Sequence, residues 1–310
     1  MASKKEFKTL EEQIVILKSK GLVIENEEKT KEILLRENYF FINGYRHIFI
    51  RSPKEKIFIT GTTFEELYAL FLFDRSVRNI MFKNILIVEN NIKSIISYQL
   101  SRKYGVREKD YLRHTNFTSQ FKKSKQVADV IHKMKRQIRI NGKQHSATLH
   151  YVTNYGYIPM WILVKVLSFG IISELFSILK SDDKTSICEH YNVDSENMEI
   201  FLSVMSNYRN LCAHEDILFD YQTQRSILDN KYHRILNVPV MDNEYIYGKN
   251  DLFSMVLVLK HMLSEEEFRF LIYEIGYEID ILDGKVDSVS LAKILDRIGF
   301  PKNWRNIVDL

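Results

Sequence analysis

Arg209 and His214 lie five positions apart in the stretch YRNLCAH, residues 208–214. A guanidinium is a permanent cation with a planar fork of donors for phosphate or carboxylate, and an imidazole exchanges protons near neutral pH. Together these residue types suit acid–base chemistry on an anion. Their spacing does not suit cooperation within one straight helix. At about 100° per residue the two side chains point roughly 140° apart, whereas partners on one helix stand at i, i+3 or i, i+4. Asn210 does stand at i, i+4 from His214 and can hydrogen-bond the imidazole to select its tautomer. On spacing alone, a surface arginine and a histidine with local partners explain the pair as well as a catalytic site does.

Other chemistries lack their signatures. There is no glycine-rich phosphate or dinucleotide loop, no HExxH, no zinc-spaced Cys/His array and no GxSxG elbow. Cys188 and Cys212 form neither a CxxC nor a disulfide framework, which fits a reducing cytoplasm. No metal or other cofactor is expected. What remains is acid–base chemistry on an anion, or binding alone.

The elements that must position these residues read as helices. A helix from about Glu196 to Asp220 carries YRNLCAH and buries Met198, Phe201, Leu202, Met205, Tyr208 and Cys212 along one stripe, with Arg209 at its border. Phe64 to about Tyr104 is helical throughout: Leu67, Leu70, Phe71, Val77, Met81, Ile85 and Val88 share a face, and Gly105 ends the run. Thr9 and Glu12 make a capping box for a short helix over 9–20, stopped by Gly21. NYFFINGYRHIFI reads as a strand or hairpin around Asn43-Gly44, and KIFITGTTF as further strand. Helices are expected over Pro159–Leu179, Thr185–Tyr191, Leu252–Leu263, Glu265–Ile281 and Ser288–Ile298. The expected fold is mostly α: a helical bundle with a small β element near the N-terminus and extra C-terminal helices. Its divisions are 1–63, 64–236 with a basic insertion at about 101–145, and 250–310.

With 310 residues, 45% hydrophobic and 27% charged, the chain has the composition of a folded protein, and its 11 Gly and 4 Pro favour long helices. MASKKEFKTLEEQ has charge but no apolar h-region, so no signal peptide is expected. Residues 157–179 resemble a membrane span, but Lys165 and Glu174 interrupt them, each at a cost of roughly 2.5–3.5 kcal/mol for insertion. A buried core helix and a soluble protein are expected. Net charge is +4, yet residues 101–145 carry thirteen Lys or Arg against three acids, leaving −6 for the rest. Such asymmetry points to a polyanion-facing surface. Lys122, Lys123, Lys125, Lys133, Lys135, Arg136 and Arg139 are its candidate nucleic-acid contacts, a solvated helix face being the plainer alternative, and Tyr104, Tyr111, Phe117 and Phe121 either stack on unpaired bases or belong to the core.

RNLCAH resembles the RNxxAH form of the R-x4-6-H motif of HEPN-domain ribonucleases, specifically the Abi-like (AbiD/AbiF) abortive-infection proteins. Companion segments match in order: KTLEEQIVILKSKGLVI, ENYFFINGYR, the region from FITGTTFEELYALF to SYQLSRKYG, IPMWILVKVLSFGIISELFSIL and the closing IGFPKNW. The resemblance implies a metal-independent endoribonuclease of antiphage defence. Two protomers would bring their motif helices into one composite site, so a homodimer is implied. His214 would act as general base or acid, Arg209 would hold the scissile phosphate, and Asn210 would orient the histidine. Attack by the 2′-OH would leave a 2′,3′-cyclic phosphate and exclude DNA. Some AbiF-type relatives are associated with small structured noncoding RNAs, so such an RNA is an expected partner. The competing reading is a non-cleaving HEPN-fold RNA sensor or scaffold. A purely structural helical module would leave both the motif and the basic segment without a role.

Overall fold

The computed structural model describes residues 6–310 apart from Pro53, Glu55 and the side chain of Phe41. The N-terminal part contains α1 (Leu10–Ser19), α2 (Glu27–Glu37) and α3 (Tyr39–Gly44). Thr9 and Glu12 form the expected capping box, and Gly21, at φ +87°, turns the chain where a side chain would be strained. The hairpin expected at Asn43-Gly44 is absent: α3 runs through it and continues as a 3-10 turn over Tyr45–Phe49. Ile42 of α3 and Tyr45, Ile48 and Phe49 of the 3-10 turn reach the core from helical turns while Phe40 stays exposed, so packing overrides β propensity here. β structure in this part is limited, among the described residues, to isolated bridges, Val23 with Thr63 and Ile50 with Phe58.

Helix α4 (Phe64–Tyr104) is the spine. Thr63 and Glu66 cap its start reciprocally, Gly105 at φ +91° closes its end, and the seven stripe residues named above are all buried. The basic region forms α5 (Glu108–Tyr111) and α6 (Ser124–Asn141), followed by α7 (Ser146–Tyr155). The single helix expected over Pro159–Leu179 is two, α8 (Met160–Val166) and α9 (Phe169–Ile178). Leu167 turns extended between them, and Ser168 caps α9 by accepting from the Ile171 amide. No helix of the described residues is long and apolar enough to cross a membrane.

After α10 (Ser181–Cys188) comes α11 (Ser195–Ala213), the helix of the motif. The remainder is α12 (Lys231–Ile235), a two-stranded ladder β1 (Val240–Met241) and β2 (Glu244–Tyr245), α13 (Leu252–Met262), α14 (Glu265–Asp283) and α15 (Leu291–Arg297). Mostly α is therefore correct, but the one two-stranded sheet among the described residues lies on the C-terminal side. Helix α4 packs on α8, α11 and α14, and α11 lies also against α9 and α13. Glu66 accepts from the Asp287 and Ser288 amides, and Lys293 donates to the Ile48 carbonyl, so the C-terminal helices bond directly to the N-terminal part. One apolar core runs from Ile14 to Ile307.

Candidate active site at the end of the motif helix

The six stripe residues of α11 are buried against α4, α9 and α13. Gly170 of α9 faces Ser206 of α11 in this packing, where an added methyl group would stand 3.4 Å from the Ser206 hydroxyl, an ordinary van der Waals contact. This burial fixes the rotation of α11 and leaves Arg209 at the border, with its side chain 31% exposed. Its Nε is 3.5 Å from Glu89 Oε2 of α4, a contact without hydrogen-bond geometry, and its guanidinium lies 5.8 Å from the Phe82 ring. The terminal amino groups of Arg209 bond to no described residue. Glu89 is buried, and Lys93 one turn along α4 donates to its other oxygen at 2.6 Å. Lys93, Glu89 and Arg209 thus form a line of alternating charge, ending in a guanidinium fork with unused donors.

The motif helix ends earlier than the expected Asp220. His214 is its C-cap, Glu215 adopts φ +56°, and the amides of Glu215 and Asp216 bond back to the carbonyls of Cys212 (3.3 Å) and Leu211 (3.1 Å). These are the two bonds of a Schellman stop. The usual signal is glycine at the left-handed position; glutamate there is strained by roughly 1–2 kcal/mol and gives no sequence cue. Tertiary bonds hold the stop. Arg78 of α4 donates to the Asp216 carbonyl at 3.0 Å, and the Leu218 amide donates to Asp74 Oδ2 at 3.2 Å. Asp74 also accepts from Arg78 (2.8 Å) and from the Tyr45 hydroxyl (2.7 Å). Burial pushes the Asp74 carboxyl above its usual range, while Tyr45, Arg78 and backbone amides pull the other way. Burial first, then the neighbouring Asp74, raises the Tyr45 phenol. Burial also pushes the Cys212 thiol up to about 12, which leaves it protonated and inert.

His214 therefore stands at the exposed end of α11 on a stapled turn, and Asn210 is exposed as well. The bond between them is one of backbones, the His214 amide donating to the Asn210 carbonyl at 3.0 Å; the Asn210 side chain does not bond the imidazole. Sequence reasoning missed Glu89, Lys93 and the Asp74–Arg78–Tyr45 cluster. Buried charge on the core side of α4 is a signal in retrospect, but no local pattern assigns those charges to α11.

The seven basic candidates divide. Lys123 donates to the Ser177 carbonyl at 2.8 Å, and Lys133 pairs with Glu174 (2.8 Å) and Asp129 (2.9 Å). Lys122, Lys125, Lys135, Arg136 and Arg139 make no ion pair among the described residues, and all five are exposed, Lys122 on the turn before α6 and the others along it. Of the aromatic candidates, Tyr111 and Phe117 are core, Tyr104 donates to Asp183, and Phe121 is almost wholly exposed. Among the described residues, no group of three or more His, Cys, Asp or Glu is placed to hold a metal ion.

The profile of the Abi-like protein family matches residues 32–220, more than half of the chain. The chain belongs to the Abi-like protein family. Membership associates it with abortive-infection defence against phage. The Abi-like match begins within α2 and ends just past the Schellman turn, so it takes in Glu89, Arg209, Asn210, His214 and the basic helix α6. The helices from α12 onward lie outside it. No curated protein and no solved structure matches the chain.

Proposed function

We propose that this Abi-like chain is a HEPN-type endoribonuclease whose active form is a homodimer with a composite Arg209/His214 site. The observation that carries this reading is the state of Arg209. It is oriented from below by Glu89 and Phe82, yet its terminal donors are uncommitted, five residues before the exposed His214 on the same helix. An arginine with a purely structural role would use its fork on protein acceptors.

In the proposed reaction an RNA 2′-oxygen attacks the adjacent phosphorus and the 5′-oxygen departs. One His214 removes the 2′-proton, and the partner's His214 supplies a proton to the leaving oxygen, so one base and one acid are available in the same encounter. Arg209 neutralises the charge that builds on the phosphoryl oxygens. The products are a 2′,3′-cyclic phosphate and a 5′-hydroxyl, and DNA is not cut because it lacks the nucleophile. Asn210 has a supporting role in orienting His214. Resemblance to AbiF-type proteins supports a small structured noncoding RNA as a partner, with the five unpaired cations of the α6 region as its docking surface.

The deciding experiment is cleavage of mixed RNA by the wild-type, Arg209→Ala and His214→Ala proteins, with product ends mapped and chelator present in parallel. Cleavage in the wild type alone, insensitive to chelator and ending in cyclic phosphate, is the expected result. Equal behaviour of all three, with RNA still bound, would instead establish a non-cleaving sensor. Sequencing RNA copurified with His214→Ala then separates a dedicated small RNA from a mixed population.

A further inference from the structure

The aromatic residues best placed to stack on bases lie outside the segment that sequence charge singles out. Helix α7 and the start of α8 carry a chain of neighbouring rings. Tyr151 and Tyr155 have centroids 5.3 Å apart, tilted 35°; His150 lies 5.5 Å from Tyr151, and Tyr157 lies 6.4 Å from Tyr155. Trp161 donates from Nε1 toward the Tyr151 hydroxyl at 3.4 Å. Tyr155 is 57% exposed and Trp161 40%. Trp161 and Tyr155 both reach Tyr151 and both leave ring surface in water, an apolar area that a partner could cover.

Charge identifies what covers them. The Arg107 guanidinium stands 5.6 Å over the Tyr157 ring. The next residue, Glu108, accepts from the Ile158 amide and also borders a cavity of about 550 Å³ between α5 and α6. Lys109, His132, Lys135 and Arg139 line that cavity. Ring surface and cationic cleft therefore meet along the seam of Arg107-Glu108 with Tyr157-Ile158. A protein partner would need an acidic segment in the cleft and an apolar one on the rings. An unpaired RNA strand supplies both at every nucleotide, as a phosphate and a base with a π-face.

We propose that α7 and the start of α8 form a stacking platform for unpaired RNA bases, whose phosphates run into the cleft between α5 and α6. This deepens the RNA-binding part of the proposed function and does not depend on cleavage.

The test uses the full-length His214→Ala protein, so that the probe stays intact, with a fluorescein-labelled oligouridylate about ten nucleotides long, within the span such grooves cover. Trp304 is buried at 2% exposure, so quenching of tryptophan emission on binding reports Trp161. Quenching is expected, and Trp161→Phe removes it while the oligonucleotide still binds. Tyr151→Ala with Tyr155→Ala lowers affinity about tenfold or more, and the paired Phe substitutions restore it. An oligonucleotide of the same length with abasic sugars binds the wild-type and Ala proteins equally. Should the double variant fail to fold by circular dichroism, the exposed Tyr155→Ala alone carries the comparison. The proposal is overturned by absence of quenching, by unchanged affinity in the Ala proteins, or by equal loss for the abasic probe. It is also overturned if those variants change self-association rather than RNA affinity, which would make the face a protein interface. Quenching without any wild-type cleavage would leave the platform standing and remove the nuclease reading.

Discussion

Two charged clusters project from α4 toward the motif helix, and they are built in opposite ways. Around Asp74 every partner is accounted for: Arg78, the Tyr45 hydroxyl and the Leu218 amide all converge on one oxygen, in the core. Around Glu89 one oxygen is taken by Lys93, while the other has only an offset contact with Arg209. A buried charge that is fully bonded fixes geometry, because breaking it strands its partners in low dielectric. A half-exposed guanidinium with unused donors is available to an incoming anion. The first cluster holds the turn that presents His214, and the second aims Arg209. Scaffold and chemistry are thereby separated along one helix.

The comparison breaks if the two clusters respond alike to substitution. His214→Ala should lower RNA cleavage by about a hundred- to ten-thousand-fold, with an unchanged melting temperature. Asp74→Ala should do the reverse in kind. A drop of about 3–5 kcal/mol in urea unfolding is expected because Arg78 is left uncompensated, and any fall in cleavage should track the folded fraction. A stable Asp74→Ala protein would show that the staple does not hold the turn. Glu89→Gln should sit between them, with stability lowered by about 1.5–3 kcal/mol and a further drop in cleavage measured per folded molecule. Replacing Lys122, Lys125, Lys135, Arg136 and Arg139 with glutamine should weaken RNA binding and flatten its dependence on salt. The slope should fall by about 0.7 for each single-strand phosphate that is no longer neutralised. An unchanged slope would remove the basic helix from the RNA surface.

The smallest effect concerns a third buried carboxylate. Burial pushes Asp251 up to about 6 although it accepts from the Ser254 and Gly248 amides. The folded state then holds that proton more tightly than the unfolded chain does. Between about pH 4 and 6 its contribution to stability falls as pH rises. Asp251→Asn should remove this part of the slope in urea midpoints measured across that window. Asp74, raised by burial as well, has the same sign, so a steeper slope in Asp251→Asn than in the wild type would contradict the assignment.

Much of the helical frame was legible in the sequence because its causes are local. Thr9 with Glu12 is a capping box within three residues, and the apolar periods of α4 and α11 match their buried stripes. The residue types of RNLCAH were equally legible. The hairpin at Asn43-Gly44 does not form because Ile42, Tyr45, Ile48 and Phe49 are buried from helical turns, which obeys packing and not strand propensity. The break at Leu167-Ser168 is hidden in an unbroken apolar run, and the stop at Glu215 carries no glycine.

By itself, then, the sequence determined most of the long helices, the faces they bury, and that one arginine and one histidine of suitable chemistry stand on the helix that became α11. Only the tertiary structure decided where that helix stops, which carboxylate stands beside Arg209, and which aromatic rings stay in solvent. Caps and periodicities act over one or two turns of chain. The Glu89–Arg209 contact and the Asp74 staple join α4 to residues far along the sequence, and they exist only because the core sets the rotation and depth of both helices.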